Sequence, residues 1–243
     1  MAGYGIFANC YDALTFNVPY DEIAKYYASI LSKMTDAKQV LDMGCGTGNL
    51  TVRLEKLGFE MIGQEASVNM LTYAAEKSNK VTWIYQKMEK TKLPYPVDAV
   101  ISTLDSINHL ESREDISKCF QRVSKNLKRG GAFVFDVNTP FKHREILGEN
   151  TFVYDVDGVY CVWQNTFCAE DCGVDIDLDL FFEDEDGRYS RGEEHFREIA
   201  LSSEEICRLL KDAGLEVVNI WEYLTFDDPK SDSEKLLISA KKP

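Results

Sequence analysis

Short apolar runs alternate with amphipathic stretches through the middle of the chain. The runs are rich in β-branched residues, as buried strands are, and they lie at residues 39–43, 59–63, 81–85, 97–102 and 132–137. Between them, apolar residues recur at helical spacing over 48–57, 67–78 and 112–127. This alternation predicts a parallel sheet with helices on both faces.

The pattern changes near residue 151. Over residues 174–180, valine, isoleucine and leucine alternate with aspartate, and turn signals recur at DVDG, AEDCG and EDEDG. This predicts a meander of antiparallel strands over about 151–200. The following SSEEICRLLKDAG has a capping serine and a terminal glycine, so it predicts one more helix. Two apolar stretches, LEVVNIWEYL and EKLLISAKK, predict two final strands.

A glycine-rich loop joins the first predicted strand to the first predicted helix in VLDMGCGTGNL, residues 40–50. Glycines leave the backbone open to a ligand, and a helix N-terminus offers unpaired N–H groups with partial positive charge. Glu65 ends the next strand, where a carboxylate can accept both hydroxyls of a ribose. This context favours a nucleoside cofactor over a tight structural turn.

Two cofactor classes fit such a loop, namely a nicotinamide or flavin dinucleotide and S-adenosylmethionine. Dinucleotide sites favour the spacing G-x-G-x-x-G. Here Gly44, Gly46 and Gly48 form G-x-G-x-G, and the acidic Asp42 precedes them. The spacing favours S-adenosylmethionine.

Four stretches occur in a characteristic order: VLDMGCGTGNL, GQEASVNML, LPYPVDAVIST and NLKRGGAFVFDVNTP. Together they resemble the successive motifs of the class I S-adenosylmethionine-dependent methyltransferases over about residues 38–140. More loosely, LDSINHL, YGIFANCYDAL and the late meander resemble bacterial small-molecule members, including amino-sugar N-methyltransferases. The resemblance implies an α/β fold with a doubly wound, mostly parallel seven-stranded sheet, a reversed C-terminal hairpin and an antiparallel β insertion.

The resemblance also implies how the chain is organised. We expect a single domain over residues 1–243, with an N-terminal helical cap at 1–37 and the insertion at 151–200 as an acceptor-side lid. The implied reaction is methyl transfer to a small-molecule acceptor by in-line displacement, which an enzyme catalyses largely by holding the reactants in line and dry.

Family roles carry over to matching positions. The backbone of the three glycines is expected to hold the methionine moiety, Glu65 the ribose, and the backbone near Leu104 the rest of the methionine pocket. Ala66 and Met70 are expected beside the adenine. The full expected cofactor-binding set is Tyr20, Asp42, Gly44, Gly46, Gly48, Glu65, Ala66, Met70, Met88 and Leu104.

One position departs from the family pattern. Members often carry an acidic residue after the third strand to accept the adenine amino group, but Lys87 stands there. An ammonium has no acceptor to offer. Adenine recognition is then expected from the backbone at Met88, from apolar packing or from Glu89.

Candidate catalytic residues lie in the outer segments. Tyr11 is the favoured aromatic contact to a sulfonium, ahead of Tyr4 and Tyr20, although tyrosines on an amphipathic helix also serve simply in packing. His195 is expected to point into the crevice from the last meander strand and to act as a general base. His109 can also face the pocket, whereas His143 is expected to be structural.

The composition of the chain limits the kinds of binding partner that we expect. A net charge of −14 over 243 residues repels polyphosphate, so no nucleic acid partner is expected. No apolar run approaches the roughly 18 residues of a membrane helix, and no targeting segment is recognised, so we expect a cytoplasmic protein without a membrane partner. Seven cysteines show no zinc-ligand spacing, so reduced thiols and no metal are expected.

Two other functions stay open at this point. A nicotinamide-dependent oxidoreductase is disfavoured by the glycine spacing. A cofactor-binding sensor or scaffold without turnover gains some support from Lys87. The sequence names neither the methyl acceptor, the atom methylated nor the oligomeric state.

Overall fold

The structure, a computed structural model, describes residues 5–243, so Tyr4 lies outside the described residues. The eleven strands of this described part, numbered in chain order, form a main sheet and a smaller one. The main sheet contains β1 Gln39–Met43, β2 Glu60–Glu65, β3 Thr82–Tyr85, β4 Val97–Ser102, β5 Leu127–Asn138, β10 Glu216–Glu222 and β11 Lys235–Lys241. The smaller sheet contains β6 Thr151–Val156, β7 Val159–Cys168, β8 Gly173–Glu183 and β9 Tyr189–Ile199.

Within residues 5–243, six α-helices connect or flank these strands: α1 Tyr11–Leu14, α2 Tyr20–Met34, α3 Asn49–Lys56, α4 Val68–Lys77, α5 Arg113–Asn126 and α6 Ser203–Asp212. Serine side chains at residues 67, 112 and 202 accept a backbone N–H at the starts of α4, α5 and α6, which satisfies a donor that a helix N-terminus leaves unpaired. Short 3₁₀ turns cover Phe7–Asn9 and Met88–Lys90, and a π-helix covers Lys142–Leu147.

The main sheet has the strand order β10-β11-β5-β4-β1-β2-β3. β1 to β5 run parallel to their neighbours within this set, and β11 runs antiparallel to both β5 and β10. The predicted doubly wound, seven-stranded sheet with a reversed C-terminal hairpin is therefore confirmed. The chain leaves β1 towards β2 on one side and later places β4 on the other, which opens a crevice at the carboxyl ends of the strands.

Each face of the main sheet has its own apolar core. Leu41 of β1 packs on the face covered by α5 and α6, and Val40 packs on the face covered by α2 and α3. Neighbouring residues of a strand point to opposite faces, so an uninterrupted apolar run is what a sheet covered on both sides requires.

The smaller sheet is antiparallel in the order β6-β7-β8-β9, as the meander pattern predicts. Val174, Ile176, Leu178 and Leu180 are buried, and they share a third core with Phe7 and Met70. The insertion thus packs on the N-terminal segment and on α4, beside the crevice. Across residues 5–243, every helix is too short or too polar to cross a membrane.

Candidate active site

The glycine loop follows β1 directly. Gly44, Gly46 and Gly48 all have positive φ angles, of 76°, 54° and 76°, which glycine adopts readily. A Cβ on Gly44 would lie 2.8 Å from the Ser106 side chain, and one on Gly48 would lie 2.6 Å from Trp83, whereas a Cβ on Gly46 would meet nothing within 4 Å. Packing requires the outer two glycines, and the backbone of Gly46 faces open space.

Glu65 ends β2 beside this loop. Its carboxylate accepts hydrogen bonds from the backbone N–H of Gly46 at 3.1 Å, of Ala66 at 2.7 Å and of Ser67 at 2.9 Å. Burial raises the pKa of Glu65, although these three N–H donors act in the opposite direction. The carboxylate is therefore fixed in place at the edge of the loop before any ligand arrives.

Asp42 lies beneath the loop, on β1. Its Oδ2 accepts a 2.6 Å hydrogen bond from the Thr51 hydroxyl, and its Oδ1 is buried without a hydrogen-bond partner among the described residues. Burial raises the pKa of Asp42 to about 7, with the Thr51 bond opposing the shift. An orphaned buried acceptor beside the glycine loop is a feature that a polar ligand group or water would satisfy.

A cavity of about 380 Å³ opens in front of the glycine loop. Seven of the ten residues expected at the cofactor line its first end, namely Gly44, Gly46, Glu65, Ala66, Met70, Met88 and Leu104. Ser67, Gln86, Lys87, Glu89 and Ser106 line it beside them. Gly48 and Asp42 do not line it, because Gly48 packs against Trp83 and Asp42 is buried beneath the loop. Tyr20 lines a smaller recess next to Gly44 and donates to the Thr15 hydroxyl at 3.2 Å.

The other end of the cavity is aromatic. Phe7, Tyr11, Trp163 and Phe196 line it, so the N-terminal segment and two strands of the smaller sheet meet there. Phe7 contacts Tyr11 edge-on with ring centroids 5.5 Å apart, and Phe196 lies 6.4 Å from Trp163. Tyr11 therefore lies at the cavity as expected, and Trp163 and Phe196 are wall residues that the sequence analysis missed.

A charged cluster forms the floor between the two ends. Lys235 Nζ lies 2.8 Å from Asp105 and 3.4 Å from Asp136. Burial alone would raise the pKa of Asp105, but Lys235 and Lys142 outweigh it and hold that pKa well below its usual value. Leu104 and Asp105 have positive φ angles of 53° and 55°, an uncommon backbone for such residues.

Asp136 stabilises that turn. Its carboxylate accepts the backbone N–H of Leu104 at 2.9 Å and of Asp105 at 2.7 Å, and the Tyr27 hydroxyl at 2.7 Å. The left-handed turn after β4 is held by a buried carboxylate on β5. The backbone of Leu104 consequently faces the cavity in a defined conformation.

Glu198 completes the floor from β9. Its carboxylate is only 4% exposed and accepts from Asn138 Nδ2 at 2.9 Å, with His143 Nε2 at 3.2 Å and His109 Nε2 at 3.5 Å. His109 also lines the cavity, in agreement with its expected position. Glu198 was not among the expected site residues, although it lies two positions after Phe196 and therefore on the same face of β9.

His195 does not point into the crevice, and that expectation was wrong. Its side chain is 59% exposed, and Nδ1 lies 2.8 Å from the Asp177 carboxylate on β8. Phe196, the next residue, faces the cavity, so the alternation of the strand turns His195 to the opposite face. His195 is therefore not positioned to act as a general base at this cavity.

Lys87 lies at the cofactor end of the cavity, where the family pattern would place an acidic residue. Its ammonium is 4.0 Å from the Glu111 carboxylate, and both side chains are largely exposed. The polar groups that accompany it there are Gln86 and Glu89, together with the backbone at Met88.

Comparison with known proteins agrees with this geometry. A family model described as a methyltransferase domain matches residues 40–131. YqeM of Bacillus subtilis (strain 168), a protein named as a methyltransferase, is 30% identical to the chain, and the match covers 98% of this chain and 97% of YqeM. The chain belongs to the S-adenosylmethionine-dependent methyltransferases.

Solved structures show the same fold for this methyltransferase. A methyltransferase dependent on S-adenosylmethionine from Clostridium acetobutylicum ATCC 824 superposes with a TM-score of 0.88 at 28% identity, over 98% of both chains. DesVI of Streptomyces venezuelae superposes with a TM-score of 0.80 at 20% identity, over the full length of both chains. The methyltransferase uses S-adenosylmethionine, and the open backbone of Gly46 and the fixed Glu65 carboxylate, both at the cavity, fit that cofactor.

Proposed function

We propose that this methyltransferase transfers a methyl group to the nitrogen of a small-molecule amine. The observation that carries the proposal is the second end of the cavity, which is lined by the aromatic side chains of Tyr11, Trp163 and Phe196 together with Glu198. Aromatic faces attract cations, and an ionised carboxylate forms strong hydrogen bonds with an ammonium. A protonated amine can interact favourably with both the aromatic side chains and the carboxylate of this wall.

We assign most of the expected residues at the cofactor end of the cavity to one part of the cofactor each. The backbone of Gly44, Gly46 and Leu104 holds the methionine part, and Glu65 holds the ribose hydroxyls. Ala66, Met70 and Met88 form the adenine side. When bound, S-adenosylmethionine supplies an electrophilic methyl group on a sulfonium.

The chain's own residues prepare the acceptor. Tyr11, Trp163 and Phe196 exclude water and orient the amine, which is the main source of acceleration in an in-line displacement. The nitrogen needs its lone pair for attack, so one ammonium proton has to leave first. His109, at the cavity wall beside Glu198, is placed to take it. The backbone of Gly44, Gly46 and Leu104, together with Glu65, would hold the S-adenosylmethionine whose methyl group the deprotonated nitrogen accepts.

The cluster of Asp105, His109 and Glu198 has a second possible use. One ligand atom from each lies within 4.8 Å of the others, as in a metal site. The Lys235 ammonium already supplies a positive charge to Asp105. We therefore favour amine binding by this cluster over a metal ion.

The domain organisation belongs to the same proposal. The smaller sheet acts as an acceptor-side lid because Trp163 and Phe196 project from it into the cavity, and the N-terminal helices act as a cap through Phe7 and Tyr11. CalS10 of Micromonospora echinaspora, described as an amino pentose methyltransferase, superposes with a TM-score of 0.78 at 20% identity. Its name is consistent with an amine acceptor.

A panel assay tests the proposal. The protein is incubated with S-adenosylmethionine and matched small amines, alcohols and thiols, and S-adenosylhomocysteine is measured by mass spectrometry. We expect turnover with amines, and a KM for the amine that Trp163→Ala raises while leaving the KM for the cofactor unchanged. Turnover with alcohols or thiols alone would refute the proposal that the methyl acceptor is an amine. Tight cofactor binding without turnover on any acceptor would favour the sensor or scaffold.

A further inference from the structure

His143 and Glu198 form a buried pair behind the acceptor end of the cavity. His143 lies on the π-helix Lys142–Leu147 and is fully buried, and the Glu198 side chain is 4% exposed. Nδ1 of His143 lies 2.8 Å from the carbonyl oxygen of Cys172, and Nε2 lies 3.2 Å from Oε2 of Glu198. The ring is thus held at both nitrogens by oxygen atoms.

These two contacts determine a proton count. A carbonyl oxygen only accepts, so Nδ1 of His143 carries a hydrogen and donates it. A neutral ring with its hydrogen on Nδ1 would then present the lone pair of Nε2 to a carboxylate oxygen, which has only lone pairs as well. The close contact therefore requires a second proton between His143 and Glu198.

The surroundings place that proton on His143. Asn138 donates to Oε2 of Glu198, and His109 approaches Oε1, so the carboxylate is solvated as an anion would be. Burial raises the pKa of Glu198, but His109 and the bond to His143 outweigh it, and the net shift is downward.

The other charged groups around the pair give the same answer. Asp105 follows β4, Asp136 lies on β5, Lys142 lies on the π-helix, and Lys235 lies on β11. With Glu198, these are three carboxylates against two ammonium groups. His109 is the other titratable group beside Glu198. One imidazolium among these groups makes the set neutral, which a medium of low dielectric constant favours, and His143 is the fully buried ring whose two nitrogens both contact oxygen atoms.

We propose that His143 is a positioning residue for the acceptor site, which as an imidazolium holds Glu198 ionised and leaves Oε1 of that carboxylate facing the cavity to bind an ammonium group. Oε2 is occupied by Asn138 and His143, both buried, whereas Oε1 lies on the side of His109, which lines the cavity. The role in acceptor binding rests on the proposed function, and the protonation of the pair does not.

The first experiment measures the protonation directly by ¹⁵N NMR of the full-length protein near neutral pH. The chain has three histidines, so single His109→Gln and His195→Gln variants assign all the ring signals. We expect both nitrogens of His143 to be protonated. In Glu198→Gln the amide can donate to Nε2, so His143 should change to a neutral ring protonated on Nδ1 only, while the exposed His195 keeps its signals. An unprotonated Nε2 in the unmodified protein overturns the proposal.

The second experiment measures the consequence at the cavity, with methylammonium as the probe and methanol as its neutral match. Binding to the complex with S-adenosylhomocysteine is followed by ligand-observed NMR. We expect methylammonium alone to bind, and both Glu198→Gln and His143→Gln to weaken it at least tenfold while cofactor affinity changes less than twofold.

Two results distinguish failure of the positioning role of His143 from failure of the proposed amine acceptor. Undiminished methylammonium binding in folded Glu198→Gln or His143→Gln overturns the positioning role. Absence of methylammonium binding in the unmodified protein counts against the amine acceptor and with it against this role, even where NMR shows the imidazolium. Asp177→Asn, on the exposed face of β8, is the matched control for loss of one carboxylate.

Discussion

The carboxylate of Glu65 accepts a hydrogen bond from the backbone N–H of Gly46 at 3.1 Å. This contact ties the end of β2 to the glycine loop that follows β1. It also places the expected ribose acceptor next to the one glycine of the loop whose Cβ position is open. The two halves of the cofactor site are therefore oriented by each other, and each can be tested separately.

Replacing Glu65 with alanine is expected to weaken binding of S-adenosylmethionine by about 1.5 to 3 kcal/mol, the range for lost hydrogen bonds to a charged group. Calorimetry with S-adenosylmethionine and S-adenosylhomocysteine measures the effect. NADH is expected not to bind to either protein. Glu193→Ala, on an exposed part of β9, serves as the control. Equal affinities for Glu65→Ala and this control would show that Glu65 does not bind the ribose hydroxyls.

Gly46→Ala is expected to reduce affinity for the cofactor at least tenfold, because the new methyl group would occupy the space where the cofactor approaches the backbone of Gly46. The positive φ of Gly46 makes any side chain strained there, so a matched glycine is needed. Gly187 has a φ of 76° and equally open surroundings in the β8–β9 turn. Gly187→Ala should lose similar stability in urea unfolding but keep its affinity for the cofactor. If both variants bind equally well, the loop does not approach the ligand at Gly46.

The sequence predicted the elements of this fold within a few residues, and it placed Glu65 at the end of β2 beside the glycine loop, where the structure has it. These predictions rest on local physics: strand length, helix caps and the placement of a carboxylate at the end of a parallel strand. The π-helix Lys142–Leu147 was missed because no local pattern distinguishes it from a polar loop.

The charged floor of the cavity depends on tertiary structure. Lys235 meets Asp105 because β11 pairs with β5 in a register that sets Lys235 opposite Asn138. Spacing along the chain carries no information about that register.

The orientation of His195 was predicted wrongly for a related reason. The segment YSRGEEHFREI is polar on both of its faces, so its pattern does not show which face turns inward.

Lys87→Asp is expected to strengthen cofactor binding, because it restores an acceptor for the adenine amino group where Lys87 has none to offer. The structure keeps this position at the cofactor end of the cavity. Lys90→Asp makes the same change of charge at an exposed residue nearby. Fluorescence titration should show tighter binding for Lys87→Asp alone, and weaker binding would mean that Lys87 itself contacts the cofactor.

The last prediction concerns the pH dependence of stability and Asp42. Burial raises its pKa in the folded protein from 3.8 to about 7, so folding favours the protonated form. The contribution of Asp42 is therefore fully present below pH 4 and is lost as pH rises through 7. Between pH 5 and pH 8 this loss is on the order of 2 to 3 kcal/mol, at about 1.4 kcal/mol for each unit.

Asp42→Asn removes that titration while keeping an acceptor for the Thr51 hydroxyl. Urea unfolding at pH 5 and pH 8 should show that the free energy of unfolding falls more between these values in the unmodified protein than in the variant. All other titrating groups are common to both proteins, so they cancel in the comparison. Parallel losses in the two proteins would show that Asp42 is ionised throughout this range. Its buried Oδ1 would then be satisfied by a polar partner rather than left unpaired.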